Sequence, residues 1–530
     1  MILKYFSTIK VNFPFQPKRL IRFSWISLIL VSLCVPCLVK AEAQPQTQSI
    51  DSRQLIKQAE KLTRKGELAE AEKLLRQAIA QDSNDVKAKL SLSYVLLKQR
   101  RFADSYEIAF EIAKINSKNA RAYALVGMSL LNLGHFRQAQ VILETANGLD
   151  KNESLAWFGI GMLDFYENRI ELGVQYLETA VYLDPNDPDL TFALAQVYAR
   201  SEKYKEAANA YNRFLSISPS NDNDRRDRIK GLINFLSFLG NKQQLYVVDD
   251  RAKQTVLKME LLRDRPIIEV KVNDKVELLR FVLDTGSGIS VISDETAARL
   301  KIKSVSRGGT ARAIGGTGKF DIVYGFLKSI GMGNMKVKNV PVYIRKFHDG
   351  AEKVDGYIGL SLISKFLTTV DYGNSTFTLT KKTQETAQSF EKDEIALPLR
   401  LTSSGFLSGE VQINGIETPL NFIVDTGASI SVISEALANT NEMSKFSIEE
   451  KMRVVGAAGV TENVSSFMLP KMTFGKHSRE SIKAISLNLS IINEASGFEQ
   501  AGILGGNFLK NYRLTFDFQK SKVVFVPINE

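Results

Sequence analysis

Apolar residues recur with helical spacing through the first half of the chain. Between residues 52 and 221 they follow a repeat of 34 residues, whose five blocks begin at Ser52, Val86, Ala120, Ser154 and Pro188. Block ends such as residues 183–186, Leu-Asp-Pro-Asn, are helix-stop signals. The pattern predicts five pairs of antiparallel helices that stack into a curved solenoid, because such pairs cannot bury their apolar faces alone.

The segment that follows the blocks continues the helical pattern. Its apolar residues are Ile229, Leu232, Ile233, Leu236 and Leu239, a spacing that predicts a capping helix. We assign residues 222–257 to this helix and a linker. The blocks resemble tetratricopeptide repeats, and their concave groove is expected to bind a protein or peptide. A spacer or a dimerisation arm is the alternative.

After about residue 258 the pattern changes to short alternating runs of β-branched residues between Gly and Asn turns, which predicts an all-β region. This region is duplicated. Residues 281–293 and 422–434 lie 141 positions apart and are identical at nine of thirteen positions, including Asp-Thr-Gly. A glycine-rich stretch follows each aspartate by 31 residues, and Gly-apolar-apolar-Gly ends at Gly359 and Gly505. We expect two β domains, residues 258–385 and 386–530.

Composition narrows the chemistry. The only cysteines are Cys34 and Cys37 in an apolar N-terminal segment, and three scattered histidines lack metal-ligand spacing. The formal net charge is +11, but six basic residues lie within residues 1–43 and the remaining charges are interspersed. That distribution argues against nucleic-acid binding, which needs clustered basic residues. Carboxylates, hydroxyls and the backbone are left to carry any catalysis, with no cofactor or metal expected.

The N-terminal segment is typical of exported proteins. A basic leader precedes an apolar run, residues 23–39, and Ala41-Glu42-Ala43 resembles a signal peptidase site. We assign residues 1–43 to a signal peptide and expect a bacterial periplasmic or secreted protein. An uncleaved membrane anchor is the alternative, because the apolar run is at the lower limit for spanning a bilayer.

The duplicated β region resembles the retropepsin-like, or retroviral-type, aspartic protease family, with two copies in one chain. The resemblance implies catalytic residues Asp284 and Asp425, dyad-supporting residues Thr285, Gly286, Ser287, Thr426, Gly427 and Ala428, flap and substrate-binding residues Ile314, Gly315, Gly316, Val455, Gly456 and Ala457, and structural glycines Gly359 and Gly505. Two carboxylates in contact share one proton, so one activates water while the other polarises the peptide carbonyl. The fold class is therefore an all-α tetratricopeptide solenoid followed by an all-β duplicated retropepsin-like acid protease fold.

The sequence thus indicates an exported aspartic endopeptidase whose solenoid recruits a protein substrate or partner. A non-catalytic peptide-binding adaptor that retains the fold is the alternative. The two copies are expected to pair within one chain, although pairing between chains is also open. Residues 258–530 are expected to fold without the solenoid. Ser287, where the other turn has Ala428, is expected to donate to its own carboxylate and leave the shared proton on Asp425.

Overall fold

The computed structural model describes residues 51–242, 244–249, 252–316, 318–347, 353–383, 396–518 and 520–528. The predicted signal peptide, residues 1–43, lies outside the described residues, and so does most of the connection between the two β domains. Within the described ranges, no helix combines the length and the apolar character needed to span a membrane.

The described N-terminal region is helical. Its eleven helices are α1 (Ser52–Arg64), α2 (Leu68–Gln81), α3 (Val86–Lys98), α4 (Phe102–Ile115), α5 (Ala120–Asn132), α6 (Phe136–Leu149), α7 (Ser154–Tyr166), α8 (Ile170–Leu183), α9 (Pro188–Arg200), α10 (Tyr204–Ile217) and α11 (Asn223–Gly240). The first helix of every pair begins at the residue that opens a predicted block. The segment predicted to form a capping helix contains α11.

Local signals fix these boundaries. The carboxylate of Asp85 accepts a hydrogen bond from the backbone N–H of Ala88 at the start of α3, and Asn119 caps α5 in the same way. Pro188 occupies the first turn of α9, where its missing N–H costs nothing. Small residues allow the helices of a pair to approach closely, so that the buried Leu143 side chain packs directly against Gly127.

The chain then forms two β domains of the same design. The first contains β1 (Val247–Val248), β2 (Gln254–Lys258), β3 (Glu260–Leu262), β4 (Arg265–Val272), β5 (Leu279–Leu283), β6 (Val291–Ser293), α12 (Asp294–Arg299), β7 (Ser304–Arg312), β8 (Lys319–Met332), β9 (Met335–Arg345), β10 (Gly356–Ile358), α13 (Leu360–Ile363), β11 (Phe366–Asp371) and β12 (Thr376–Lys381). The second contains β13 (Ala396–Pro398), β14 (Arg400–Leu401), β15 (Leu407–Ile413), β16 (Leu420–Val424), β17 (Ser431–Ser434), α14 (Glu435–Ala438), α15 (Asn441–Ser444), β18 (Ser447–Gly456), β19 (Gly459–Phe474), β20 (His477–Leu487), α16 (Ser490–Ser496), β21 (Gly502–Leu504), α17 (Gly506–Leu509), β22 (Tyr512–Asp517) and β23 (Lys522–Pro527).

The main sheets of the two domains share one strand order. Strands run β9-β6-β10-β5-β4 in the first and β20-β17-β21-β16-β15 in the second. A third sheet joins the domains in the order β13-β23-β22-β11-β12-β2. At its centre Thr369 faces Thr515, with their hydroxyl oxygens 3.0 Å apart. A pseudo-twofold axis passes through this pair, so the chain itself supplies both halves of a dimer-like assembly.

The solenoid and the β region share a hydrophobic core. Phe498 packs edge-on against Phe136 and Tyr166, with ring centroids 4.8 and 4.9 Å apart. At the other end of the solenoid, Phe235 of α11 stacks on Tyr324 of β8 at 4.6 Å. Removing the solenoid would expose these buried side chains. The structure therefore does not support the expectation that residues 258–530 fold without it.

Candidate active site

The two Asp-Thr-Gly turns meet at the pseudo-twofold axis. Asp284 directly follows β5, and Asp425 directly follows β16. The backbone N–H of each aspartate donates a 3.0 Å hydrogen bond to the neighbouring parallel strand, at the carbonyl of Ile358 or of Leu504. Each carboxylate is thus held at the end of a buried strand. The two copies pair within one chain, as expected.

The two threonines lock the turns together. The Thr285 hydroxyl donates to the carbonyl oxygen of Val424 at 2.7 Å, and the Thr426 hydroxyl donates to that of Leu283 at 2.7 Å. Each hydroxyl also accepts from the other threonine's backbone N–H, at 3.0 and 3.2 Å. Both threonine side chains are buried. The four reciprocal bonds fix the separation of the aspartates without using their carboxylates.

The glycines of the two turns permit close contact between the halves. A Cβ atom on Gly286 would lie 2.4 Å from Cγ of Asp425, and one on Gly427 would lie 2.6 Å from Oδ1 of Asp284. Real Cβ atoms essentially never come this close to another heavy atom. Each carboxylate therefore rests on the other half's glycine, which brings the two acids into contact.

Burial raises the pKa of both carboxyl groups. The pKa of Asp284 rises well above its ordinary value, first because of burial and then because of the adjacent Asp425. Burial also raises the pKa of Asp425, but its Oδ1 accepts a 2.7 Å hydrogen bond from the Gly427 N–H, which favours the ionised form. With both pKa values raised by burial, the two carboxyl groups share one proton, which belongs to the pair rather than to either residue.

The hydrogen bond expected from Ser287 to its own carboxylate is not formed. The Ser287 hydroxyl donates to the carbonyl oxygen of Ile289 at 2.8 Å rather than to the Asp284 carboxylate. A serine side chain so close to its own backbone is satisfied locally. Ser287 and Ala428 instead play matching backbone roles, because their carbonyl oxygens accept from the N–H groups of Leu360 and Gly506 at 2.8 and 2.7 Å.

Gly359 and Gly505 each pack directly against the backbone of a turn that carries a catalytic aspartate. A Cβ atom on Gly359 would lie 2.7 Å from the carbonyl oxygen of Ser287. One on Gly505 would lie 2.6 Å from the carbonyl oxygen of Ile430. Both positions are therefore restricted to glycine by the backbone of the turn that carries the aspartate.

The predicted flap residues come together above the aspartates. Ile314, Gly315 and Gly316 lie in the tip that joins β7 to β8, and Val455, Gly456 and Ala457 lie in the tip of the β18–β19 hairpin. The tips bind each other: the N–H of Ala458 donates to the Ile314 carbonyl at 3.0 Å, and that of Gly316 donates to Val460 at 3.2 Å. Both hairpins therefore contribute to the flap layer above the aspartates.

Beneath the flaps lies a cavity of about 1070 Å³. Asp284, the flap residue Ala457 and the aromatic ring of Tyr357 line it. Arg345 also lines it and donates from Nη1 to the Ala457 carbonyl oxygen at 3.1 Å. Sequence reasoning missed Arg345, and no signal could have found it, since it lies outside every repeated motif.

One wall of the cavity belongs to the solenoid. Phe192 and Arg200 of α9 and Tyr204 and Tyr211 of α10 line the same space as Asp284. Sequence reasoning placed substrate recruitment on the solenoid but did not place its side chains in the cleft. Across the part of the chain that the structure describes, no group of three or more His, Cys, Asp or Glu residues is arranged to hold a metal ion.

Comparison with protein families supports both halves of this architecture. Residues 268–362 and 409–508 match the family model described as aspartyl protease. Residues 62–129 and 120–153 match tetratricopeptide repeat models, and residues 143–218 match one described as YpiA-like tetratricopeptide repeats. The chain therefore carries two copies of an aspartyl protease domain, preceded by tetratricopeptide repeats.

Solved structures resemble the two parts separately. An aspartic proteinase from Irpex lacteus is 12% identical, with a TM-score of 0.36, over 52% of this chain and 97% of its own. A tetratricopeptide repeat protein from Thermus thermophilus is 19% identical, with a TM-score of 0.29, over 33% of this chain and 95% of its own. No curated protein matches the chain.

Proposed function

We propose that this chain, with its paired aspartyl protease domains, is an exported aspartic endopeptidase whose solenoid recruits the protein substrate or a partner. One observation carries the catalytic part: two buried carboxyl groups each rest on the other half's glycine, and one of them, Asp284, lines a peptide-sized cavity under two joined flaps. A water molecule held between the carboxyl groups would be the nucleophile.

The shared proton gives the two carboxyl groups different roles. The ionised carboxylate takes a proton from the water as the water oxygen attacks the peptide carbonyl carbon, while the protonated carboxyl group donates its proton to the carbonyl oxygen. The resulting tetrahedral diol collapses as the C–N bond breaks. The carboxyl group that acted as the base then gives its proton to the leaving nitrogen, and the other recovers its own from the diol hydroxyl. The products are a carboxylic acid and an amine, and the dyad ends as it began.

The fixed geometry of the two turns keeps the two carboxyl groups in the position that the reaction needs. Four hydrogen bonds between the turns hold the carboxyl groups in place before substrate arrives. Preorganisation of this kind is a large part of enzymatic rate enhancement. A peptide-binding adaptor would need the cleft and flaps but not two facing carboxyl groups.

A proteolysis assay tests the proposal. The full chain is incubated with a denatured protein mixture, and new peptide termini are identified by mass spectrometry, with and without a transition-state-mimicking aspartic protease inhibitor. We expect inhibitable cleavage that Asp284→Asn and Asp425→Asn each abolish. The matched control is Asp371→Asn, the same change at a buried aspartate of β11 outside the cleft. Cleavage that persists in either dyad variant, or peptide binding without any cleavage by the wild type, would refute the proposed mechanism.

Export is tested separately. If residues 1–43 are removed as a signal peptide, the secreted or periplasmic protein begins at Gln44. N-terminal sequencing of the protein from fractionated bacterial cells measures this. Retention of Met1 in a membrane fraction would instead favour the anchored alternative.

A further inference from the structure

The catalytic cleft adjoins the groove of the solenoid. The groove is a second cavity, of about 1290 Å³, on the concave side of the helical repeats. Four residues line both spaces: Phe192, Gln196, Arg228 and Ser403. Because the two spaces share these side chains, cleft and groove adjoin at this end of the cleft.

The charged groups of the groove near this junction are largely paired with each other. Arg228 contacts Glu494 at 3.0 Å, and Arg225 contacts Asp189 at 2.7 Å. Lys98 also contacts Asp189, at 2.5 Å. These pairs satisfy one another and do not call for a charged ligand.

Arg200 differs from these groups. It ends α9 and lines the cleft, and no hydrogen bond or ion pair reaches its guanidinium from the described residues. Burial lowers the pKa of Arg200, with only partial compensation from the nearby Tyr246, Tyr204 and Glu202. A half-buried guanidinium without an acceptor is unfavourable in the absence of a partner.

Arg200 stands close to the catalytic turn. Its Nη1 lies 3.0 Å from where a Cβ on Gly405 would be, and the neighbouring carbonyl oxygen of Ser404 lies 2.5 Å from where a Cβ on Gly288 would be. Gly288 belongs to the turn that carries Asp284. Only the short loop around Gly405 therefore separates the guanidinium from that turn, a distance that a few residues of extended peptide cover.

We propose that Arg200 determines specificity by binding a carboxylate of the substrate, an Asp or Glu side chain a few residues from the cleaved bond. The substrate then continues past Phe192 and Gln196 into the solenoid groove. Arginine suits this role because its planar guanidinium binds a carboxylate through two parallel hydrogen bonds. The proposal deepens the proposed function and rests on the cleft being a substrate cleft.

The test uses capture of peptides, so that it does not depend on turnover. A randomised library of acetylated and amidated peptides, about 14 residues long to reach from cleft to groove at roughly 3.3 Å per residue, is incubated with the full-length Asp284→Asn chain. Captured peptides are identified by mass spectrometry. We expect Asp and Glu to be enriched about tenfold at one position. A parallel library with free C-termini shows whether a terminal carboxylate substitutes for the side chain.

Charge reversal supplies the readout that a purely structural role would not give. Arg200→Gln in the same background should remove the acidic preference, and Arg200→Glu should replace it with a preference for Lys and Arg. Arg53→Gln, an exposed arginine of α1 that lines neither cavity, is the matched control and should change nothing. Acidic enrichment that survives Arg200→Glu, or no enrichment in the Asp284→Asn parent, overturns the proposal. A wild-type chain that captures acidic peptides yet cuts none would instead refute the proposed function alone.

Discussion

The two flap hairpins have the same fold but different surroundings. The first, β7 and β8, lies under the capping helix α11: the Ser306 hydroxyl donates to the Gly231 carbonyl at 2.9 Å, and Tyr324 stacks on Phe235. In the second, every residue of β18 is exposed or half-buried. The solenoid therefore breaks the symmetry that the duplication created, and we infer that the second flap is the one that opens to admit substrate.

The difference in surroundings between the two flaps is visible in the sequence at one pair of equivalent positions. Both hairpins have a bulge 24 residues after the catalytic aspartate, occupied by Gly308-Gly309 in the first and Glu449-Glu450 in the second. The two glycines have φ angles of 122° and 87°. A Cβ on Gly309 would lie 2.5 Å from the carbonyl oxygen of Asp227 in α11. Close backbone contact with the helix thus requires glycine in one copy, while the other copy tolerates charge.

Exchanging these bulge residues should give the largest effect. Gly308→Glu with Gly309→Glu combines positive φ angles with a backbone clash, so we expect a loss of at least about 3 kcal/mol of stability. The reciprocal Glu449→Gly with Glu450→Gly adds backbone entropy, about 1 to 2 kcal/mol for two residues, and removes the largely exposed ion pair between Glu450 and Lys483, which contributes little. Thermal unfolding measures both. Equal losses would show that α11 does not distinguish the flaps.

Removing the aromatic contact between helix and flap should loosen the first flap alone. Phe235 is 1% exposed, and Phe235→Ala should cost about 3 to 5 kcal/mol. Hydrogen exchange should then speed up in β7 and β8 but not in β18 and β19. Phe214→Ala, at a fully buried phenylalanine of α10, is the control. If that control loosens the first flap as much, the contact has no local role.

Thr285 and Thr426 should differ from the two flaps, because the equivalent substitution should have the same effect in both copies. Thr285→Val and Thr426→Val each remove mirror-image buried hydrogen bonds and leave a backbone N–H without its acceptor. We expect each to cost about 1 to 3 kcal/mol and to reduce kcat by similar factors. Clearly unequal losses of stability or kcat would mean that the solenoid also makes the hydrogen bonds of the two turns unequal.

The smallest predicted effect concerns pH. The charge of Arg345, at the end of β9, partly offsets the rise in the pKa of Asp284. Strand pairing places Leu487 at the equivalent position in the other copy. Activity is lost as pH rises through the upper pKa of the dyad, because both carboxyls are then ionised. Arg345→Gln should raise that pKa and move the alkaline limb upward by roughly half a unit. Leu487→Met should leave the profile unchanged, and a downward shift in Arg345→Gln would show that Arg345 does not stabilise the ionised dyad.

The features that could be predicted from the sequence are those that repeat along the chain. The 34-residue period placed the helix starts, and the duplicated Asp-Thr-Gly turns placed the dyad, because each pattern reports contacts within one repeated unit. Arg200 and Arg345 were missed because their roles depend on contacts between segments far apart in sequence. The predicted role of Ser287 was wrong because the carbonyl of Ile289, two residues away, takes its hydroxyl. Short-range competition of this kind is invisible in a motif.

We infer that one chain builds one complete dyad. In a mixing experiment, the Asp284→Asn and Asp425→Asn chains are purified separately, combined in equal amounts, and assayed on a substrate that the wild type cuts. Because each chain pairs its own two turns, we expect no more activity in the mixture than in either variant alone. Recovery of a substantial fraction of wild-type activity would mean that the dyad forms between chains.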